Sequence, residues 1–559
     1  EFDRSQLARQ RGVQRFGGTP HTESAVESGL AWLAAHQSSD GSWSRFNFAD
    51  NDPPDDRCTG QAIKRIQSSL QPGLTGLCLL AFLGAGYTDT SGPYLREVRK
   101  AIDALLEMQQ PHGGFSRDER MAGYNDSIAT FALAECYAMT RDARLIEPLQ
   151  RAVGRLVRSQ QELGGWDYLP RPNSGRNDTS ITAWAVQALH ACTAAGIDVP
   201  RTTLVRAALH FAHAAGADGR VWYSDGGTGY KLDANLQPRY RYGPAMTAAG
   251  LMCEQLLGWR LEGPKPRLQT AWLFHQPPSA ARFHGRDSTQ LHNPYYWYYG
   301  TVAMFQRGGQ DWERWNSQLR DAILPLQNRE KTAEDRKRAA YGSWDPYSQH
   351  WGKWGKMGGR VYTTAICVLT LEIYYRHTPA YLTEKQLVNS DDWRAVLADL
   401  SPRRRWEAIA CLEQLRVEVS EPVLVEMLDD HDHQVALAAA EALTRIDSPL
   451  GLTLMNDVVT TLPPWGRHAT ENALNRAREL MALPPAIGTL HNYDPESRTA
   501  TLELPRAYLG MPVTISRADQ ELARLQVVRR YTGSKTVHAI MLEQLTGDLP
   551  RAGDVAIGY

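Results

Sequence analysis

Five apolar stretches read as buried helices, and each carries a cysteine: "LTGLCLLAFL" (74–83), "TFALAECYAM" (130–139), "VQALHACTAA" (186–195), "AAGLMCEQLL" (248–257) and "TTAICVLTLE" (363–372). Their cysteines are 58, 56, 61 and 114 residues apart, the last gap being twice 57. A fixed period of that size predicts a repeated supersecondary unit. Between these stretches lie more polar helical patterns that end on a shared signature. "AWLAAHQSSDGSW" (31–43), "ALLEMQQPHGGF" (104–115) and "RLVRSQQELGGW" (155–166) all read helix, Gln, three residues, Gly, any residue, aromatic. "ILPLQ" (323–327) resumes as "YGSW" (341–344) after a charged insertion, "AWLFHQ" (271–276) keeps only the Gln, and near 216 the signature decays to "GADGRVW". Each unit is thus an outer helix, a Gly-rich turn and a more apolar inner helix. Inner helices are expected near Leu74, Ser127, Thr179, Ala245, Tyr295 and Tyr362. Twelve helices in six hairpins can close on themselves and hide the apolar faces of the inner six. The Gln amides are expected to bond backbone at helix ends between units, with the Trp rings packing between them.

After Pro379 the pattern changes. "SPRRRWEAIACLEQL", "VSEPVLVEMLDD" and "HQVALAAAEALTRIDSPL" resemble HEAT-type repeats, short Ala- and Leu-rich helices that stack as a solenoid. Asp429-Asp430-His431-Asp432 reads as a turn between two of them. Pro484-Pro485 marks a second boundary, beyond which "RTATLELP", "MPVTIS", "ARLQVVRRYTG" and "TVHAIMLEQL" predict four or five strands of a small sheet or barrel, and "LPRAGDVAIGY" a turn and a last strand. The expected organisation is an extension over 1–19, the helical ring over 20–380, a HEAT-like segment over 381–483 and a small all-β domain over 484–559.

The Gln-x3-Gly-x-aromatic signature resembles the QW motif of the squalene-cyclase and prenyltransferase-repeat superfamily. The resemblance runs from about 20 to 380, and "GGRVYTTAICVLTLEIYYRHTP" (358–379) resembles the closing helix of a bacterial branch of unassigned function. It implies a mostly α fold, an α/α six-hairpin toroid, which hosts several chemistries.

Composition narrows these. Lys+Arg 61 against Asp+Glu 62 leaves a formal charge of -1, so no global field draws in nucleic acid. No apolar run reaches the length of a spanning helix. The chain starts at Glu1 rather than at a methionine, as a processed or trimmed chain would. The cysteines sit on separate apolar helices and read as packing groups, not as disulfides or a zinc framework.

A cyclase of this superfamily protonates an alkene with the middle aspartate of D-x-D-D-T-A at an inner-helix start. Gly175-Arg176-Asn177-Asp178-Thr179-Ser180 is the matching stretch, and Asn177 stands where the proton donor belongs. Asp178 is then the remaining catalytic candidate, and Asp126 of "GYNDSIATFALAE" repeats the pattern one unit earlier. For both, helix capping is the competing role. Tyr295, Tyr296, Trp297, Tyr298 and Tyr299, with Tyr240, Tyr242 and Tyr362, open inner helices and are candidates to line an aromatic cavity for an isoprenoid or other lipid. Arg360, with Arg239 and Arg241, is a candidate for an anionic group. Two alternatives stand beside that reading: a protein-interaction scaffold using the HEAT-like and β segments, and a glycan-acting enzyme or binder.

Prenyltransferases of the class hold zinc through Asp-x-Cys and a distant His. Asp56-Arg57-Cys58 matches the spacing, in the acidic turn "FADNDPPDDRC" (48–58), but His292, His350 and His377 do not make a convincing partner motif. No metal and no cofactor is expected. Neither a Gly-Cys-Gly-Glu-Gln thioester motif nor a Gly-x-Ser-x-Gly elbow is present.

Overall fold

The computed structural model describes residues 4–63, 70–216, 219–224, 243–260, 264–279, 293–329, 334, 338–347, 353–377, 388–446, 486–495, 498–505, 512–518, 520–530 and 535–558. They form two compact units. The first takes in 1–214, 221–257 and 277–387; the second 215–220, 258–276 and 388–559.

In the first unit, six inner helices follow one another around a ring: α3 (Gln71–Gly84), α5 (Ala122–Thr140), α7 (Thr179–Ala195), α9 (Pro244–Leu256), α11 (Pro294–Arg307) and α13 (Lys353–Leu371). Each packs on the next, and α13 packs back on α3, which closes the toroid. Their apolar residues point all round because they are covered on every side; α3, for example, is buried from Pro72 to Gly84. The outer helices α2 (Pro20–Ala35), α4 (Leu95–Met108), α6 (Ile146–Ser159), α8 (Arg201–His213) and α12 (Gly309–Ile323) show one buried face each. A short α1 (Gln6–Phe16) packs on α14 (Ile373–Arg376), so residues expected to be an extension are part of the toroid's packing.

The repeated signature is the clamp between units. Gln37 Nε2 donates to Gly41 O in its own turn and to Glu97 O in the next outer helix, both at 2.9 Å. Gln109 bridges Gly113 and Pro148, and Gln160 bridges Gly164 and Thr203. Gln327 bridges Gly342 (2.8 Å) and Ala25 (2.9 Å), joining the last unit to the first. The aromatic follows the same rule: Trp43, Trp166 and Trp344 donate Nε1–H to Leu33, Leu156 and Ile323 carbonyls at the end of their own outer helix. Their backbone N–H groups are received by inner-helix threonines, Thr75, Thr182 and Thr364. Where the signature decays, Val221 stands in the aromatic's place and still donates its N–H to Thr247 at 3.1 Å. Replacing Gln327 by alanine leaves two buried carbonyls without their shared donor at the ring's closing seam. A loss of about 2–4 kcal/mol is expected in denaturant titration.

In the second unit, α10 (Pro264–Phe274) is grouped with the helices α15 (Ser390–Leu397), α16 (Pro402–Leu412), α17 (Val417–Glu426) and α18 (His433–Arg445). Arg260 links that segment to the end of α16 through the Gln414 and Glu413 carbonyls, both at 2.8 Å. The Asp429–Asp432 stretch is a turn, as its composition suggested: Asp432 caps α18, and Asp430 holds Arg405 at 2.6 Å. Six strands then close an antiparallel barrel in the order β1-β2-β5-β4-β3-β6: β1 (Ala486–Asp494), β2 (Thr499–Glu503), β3 (Pro512–Arg517), β4 (Gln520–Arg530), β5 (Thr536–Gln544) and β6 (Val555–Gly558). Closure leaves no edge strand unpaired, and Leu490, Leu502, Ile515, Leu525 and Val537 fill the interior.

Candidate functional site

Asp178 is the N-cap of α7. Its Oδ1 accepts the Ser180 (3.0 Å) and Ile181 (3.2 Å) N–H groups, while Oδ2 takes Arg176 at 2.7 Å. The carboxyl is fully buried, and burial raises its pKa above the usual aspartate value against the pull of Arg176, Ser180, Ile181 and Tyr223. Arg176 also holds Asp167 at 2.7 Å and donates to Ser224 Oγ at 3.0 Å, so one guanidinium ties together two carboxylates and a loop. These partners hold the Asp178 carboxyl in place as the cap of α7.

Asp126 has a different place from the one its sequence twin suggested. The inner helix begins at Ala122, five residues earlier than a cap at Asp126 would need, and Asp126 lies inside it. Its Oδ1 accepts Phe115 N–H at 2.7 Å, the bond that threonines make in the other units, and Oδ2 lies 3.5 Å from Arg155. Asn177, at the cyclase acid position, accepts Gly165 N–H at 2.9 Å and so braces the Gly-rich turn.

The five consecutive aromatics divide by direction. Tyr296 packs edge-on against Trp315 of the outer helix, and Trp297 is buried. Tyr298 and Tyr299 point inward, to Trp184 and Gln187 of α7. Tyr298 stacks on Trp184 with ring centroids 5.7 Å apart; its hydroxyl donates to Gln187 Oε1 at 2.9 Å, and Gln187 Nε2 donates to Tyr299 at 3.2 Å. Helices α7 and α11 are not neighbours in the ring, since α9 lies between them. Their side chains therefore meet across its interior.

Toward the C-terminal ends of the inner helices the interior is ionic. Glu135 pairs with Arg4 (2.8 Å) and Arg376 (3.0 Å), and all three are buried. His377 lies beside them, and burial together with Arg376 pushes it down to about 3, which keeps it neutral.

At the N-terminal ends a set of tyrosines is only half-buried. Tyr124, Tyr168, Tyr223, Tyr295 and Tyr362 form one group with Arg176. Tyr124 Oη lies 2.6 Å from Ser180 Oγ, and Tyr295 donates to the Ser180 carbonyl at 3.2 Å. Tyr168 and Tyr223 share a hydroxyl–hydroxyl bond, and Arg176 lies over the Tyr168 ring at 4.9 Å. Tyr362 is close enough to Tyr295 to act on its ionisation. Sequence reading had picked Tyr295 and Tyr362 of this group and had missed Tyr124, Tyr168 and Tyr223. Tyr240, Tyr242, Arg239 and Arg241 lie outside the described residues.

Arg360 is buried and engaged by protein groups: the Thr59 carbonyl at 2.6 Å, Ser343 Oγ at 3.0 Å and Asp345 at 3.5 Å. It holds the 58–60 loop to the last inner helix. Asp56 turns away from Cys58 to accept Ala339 N–H at 2.7 Å, so the Asp-x-Cys pair does not converge on a ligand position.

Residues 10–231 match the family model of the squalene-hopene cyclase C-terminal domain, and residues 390–475 match that of HEAT repeats. No curated protein matches the chain. Among solved structures, an inactive variant of the α-1,6-mannanase GH76A of Salegentibacter sp. HEL1_6 with α-1,6-mannotetrose is 10% identical. The match covers 64% of this chain and 99% of that one, with a TM-score of 0.42. The unmodified mannanase is 11% identical over 63% and 98%, also at 0.42. A likeness at that level says nothing of substrate. No described helix is long and apolar enough to cross a membrane. The first unit is an α/α toroid whose residues 10–231 are similar to the squalene-hopene cyclase C-terminal domain, and the chain continues with a stretch similar to HEAT repeats and a β-barrel.

Proposed function

We propose that the toroid is a ligand-binding module without protonation-driven cyclase activity, and that its ligand is a sugar chain held at the tyrosine-rimmed N-terminal end of the ring. The observation that carries this is the contrast between two levels of the same interior. Deeper in, Trp184, Tyr298 and Tyr299 pack on one another across the ring. At the rim, five half-buried tyrosines set aromatic rings beside hydroxyls and the Arg176 guanidinium, which lies over the Tyr168 and Tyr223 rings and pairs with the buried Asp167 and Asp178. Pyranose rings present that combination, an apolar face edged with hydroxyl groups, and a small number of placed polar groups fixes orientation in such sites.

The test is a glycan array probed with the full chain, alongside incubation with linear polyprenes. Binding to a subset of glycans is expected, with loss on Tyr168→Ala/Tyr223→Ala and no cyclised product. Retained glycan binding in that double variant sinks the reading. Asn177→Asp is expected to remain inactive on polyprenes as well, because its Oδ1 stays on Gly165 N–H and the Trp184, Tyr298 and Tyr299 contacts are unchanged. A polycyclic product from this variant, read by mass spectrometry of extracts, argues for a cyclase that lost only its acid.

The isoprenoid or lipid reading keeps one point in its favour: Tyr295 continues inward to Tyr299 and Trp184 as an unbroken aromatic wall. The scaffold reading rests on the second unit, where Trp406 of α16 is 55% exposed and Ile487 of β1 66% exposed. Large apolar side chains left in water are a feature of partner-binding faces.

A further inference from the structure

We propose that His36, Asp52 and Cys58 form a binding site for one divalent transition metal, zinc by the chemistry of its donors. The three residues are far apart in the pattern of the sequence and come together at the end of α2. Their donor atoms all lie within 4.8 Å of one another. His36 Nε2 is 2.9 Å from Asp52 Oδ1 and 3.7 Å from Cys58 Sγ. Tetrahedral zinc with bonds of about 2.0–2.3 Å sets its ligand atoms about 3.3–3.6 Å apart, so small side-chain shifts suffice. Imidazole, carboxylate and thiolate together select zinc over the hard cations.

A second observation concerns the proton count. Both ring nitrogens of His36 face oxygen: Nδ1 lies 2.7 Å from the Trp32 carbonyl, and Nε2 faces Asp52. A neutral imidazole has one N–H and satisfies one of the two. Burial lowers the pKa of His36 and so favours the neutral ring. With the proton on Nδ1, donating to Trp32, the Nε2 lone pair points at a carboxylate oxygen, an arrangement that a shared cation turns from repulsion into coordination. An N–H to carbonyl bond on the far nitrogen is also the usual support of a metal-bound histidine.

The surroundings hold the donors in place. Asp52 Oδ2 accepts Cys58 N–H at 2.8 Å, which leaves Oδ1 for the cluster, and Trp32 stacks on His36 with centroids 4.0 Å apart. Metal binding takes the thiolate form of Cys58, so its thiol proton is released on binding. Thiolate and carboxylate then balance the charge of the ion, and three protein ligands leave the fourth position to water. Asp56, the residue that the Asp-x-Cys spacing had offered, takes no part.

The test is metal analysis and cobalt(II) substitution of the full chain. One zinc per chain is expected. The cobalt form should show thiolate-to-metal charge transfer in the near ultraviolet and intense tetrahedral bands in the visible. Cys58→Ala should abolish the charge-transfer band and weaken affinity more than about 100-fold, beyond the range of outer-shell changes. Cys411→Ala, which removes a buried thiol of α16, should change neither. Where Cys58→Ala fails to fold, the spectrum of the unsubstituted chain decides. No stoichiometric metal, no charge-transfer band at saturating cobalt, or a band that survives Cys58→Ala overturns the proposal and leaves His36 and Asp52 as a hydrogen-bonded pair.

Discussion

Glu135→Ala is expected to destabilise the toroid by about 3–5 kcal/mol, because it removes the carboxylate that pairs two buried guanidiniums. Arg4 and Arg376 each bond one carboxylate oxygen, and Arg4 also reaches the Leu83 and Arg376 carbonyls. Four segments far apart in sequence thus depend on a single side chain. Burial alone would raise the pKa of Glu135; Arg376 and Arg4 overcome it and hold the group at about 2, below the ordinary 4.5. A depressed carboxylate contributes stability that is complete above the unfolded value and fades as pH falls through the folded one. The contribution is therefore expected to fade from about pH 4.5 to pH 2. Denaturant titrations of Glu135→Gln across that window should lose this part of the pH dependence. Equal slopes in the two proteins would contradict the assignment.

Gly164→Ala is expected to be comparably damaging, for a local reason. Gly164 has φ +87, and a Cβ there would run into the Arg206 carbonyl of the next outer helix. Gly41, Gly113 and Gly342 meet the same obstacle from Lys100, Arg151 and Ser28, so the position recurs around the ring. Gly196 separates strain from contact: it has the same φ but nothing near its missing Cβ. Gly196→Ala is expected to cost about 1 kcal/mol and Gly164→Ala about 3 kcal/mol or more, read by thermal or denaturant unfolding. Similar losses in the two variants would mean that the close approach between units contributes little.

The toroid was legible because its clamp is local in sequence. Gln, Gly and aromatic stand at fixed spacing within one turn, and the four intact copies make the same Gln bonds. What failed was whatever depended on packing between distant segments. "Asn-Asp-hydroxyl" occurs at 125–127 and 177–180, yet one copy lies inside its helix and the other opens it. The first β-strand went unread because Gly488 interrupts its alternation; that glycine lies where a Cβ would meet the Glu503 carbonyl across the ladder. Tyr168 and Tyr223 carry a signal that was open to reading. Each stands two residues after the turn position filled by Trp166 and Val221, so aligning the repeats by the turn, including its decayed copy, brings the two tyrosines into register. The His36, Asp52 and Cys58 cluster left no such trace, since the Pro53-Pro54 turn between the second and third members hides their approach.

The central claim is that the rim of the ring binds and its interior does not. Native mass spectrometry of the full chain taken from its own source, with the bound small molecules then extracted, tests it most directly. A carbohydrate adduct on the unsubstituted chain, absent from Tyr168→Ala/Tyr223→Ala, is the expected result. A co-purifying polyprene or triterpene, or an adduct indifferent to the two tyrosines, would contradict it.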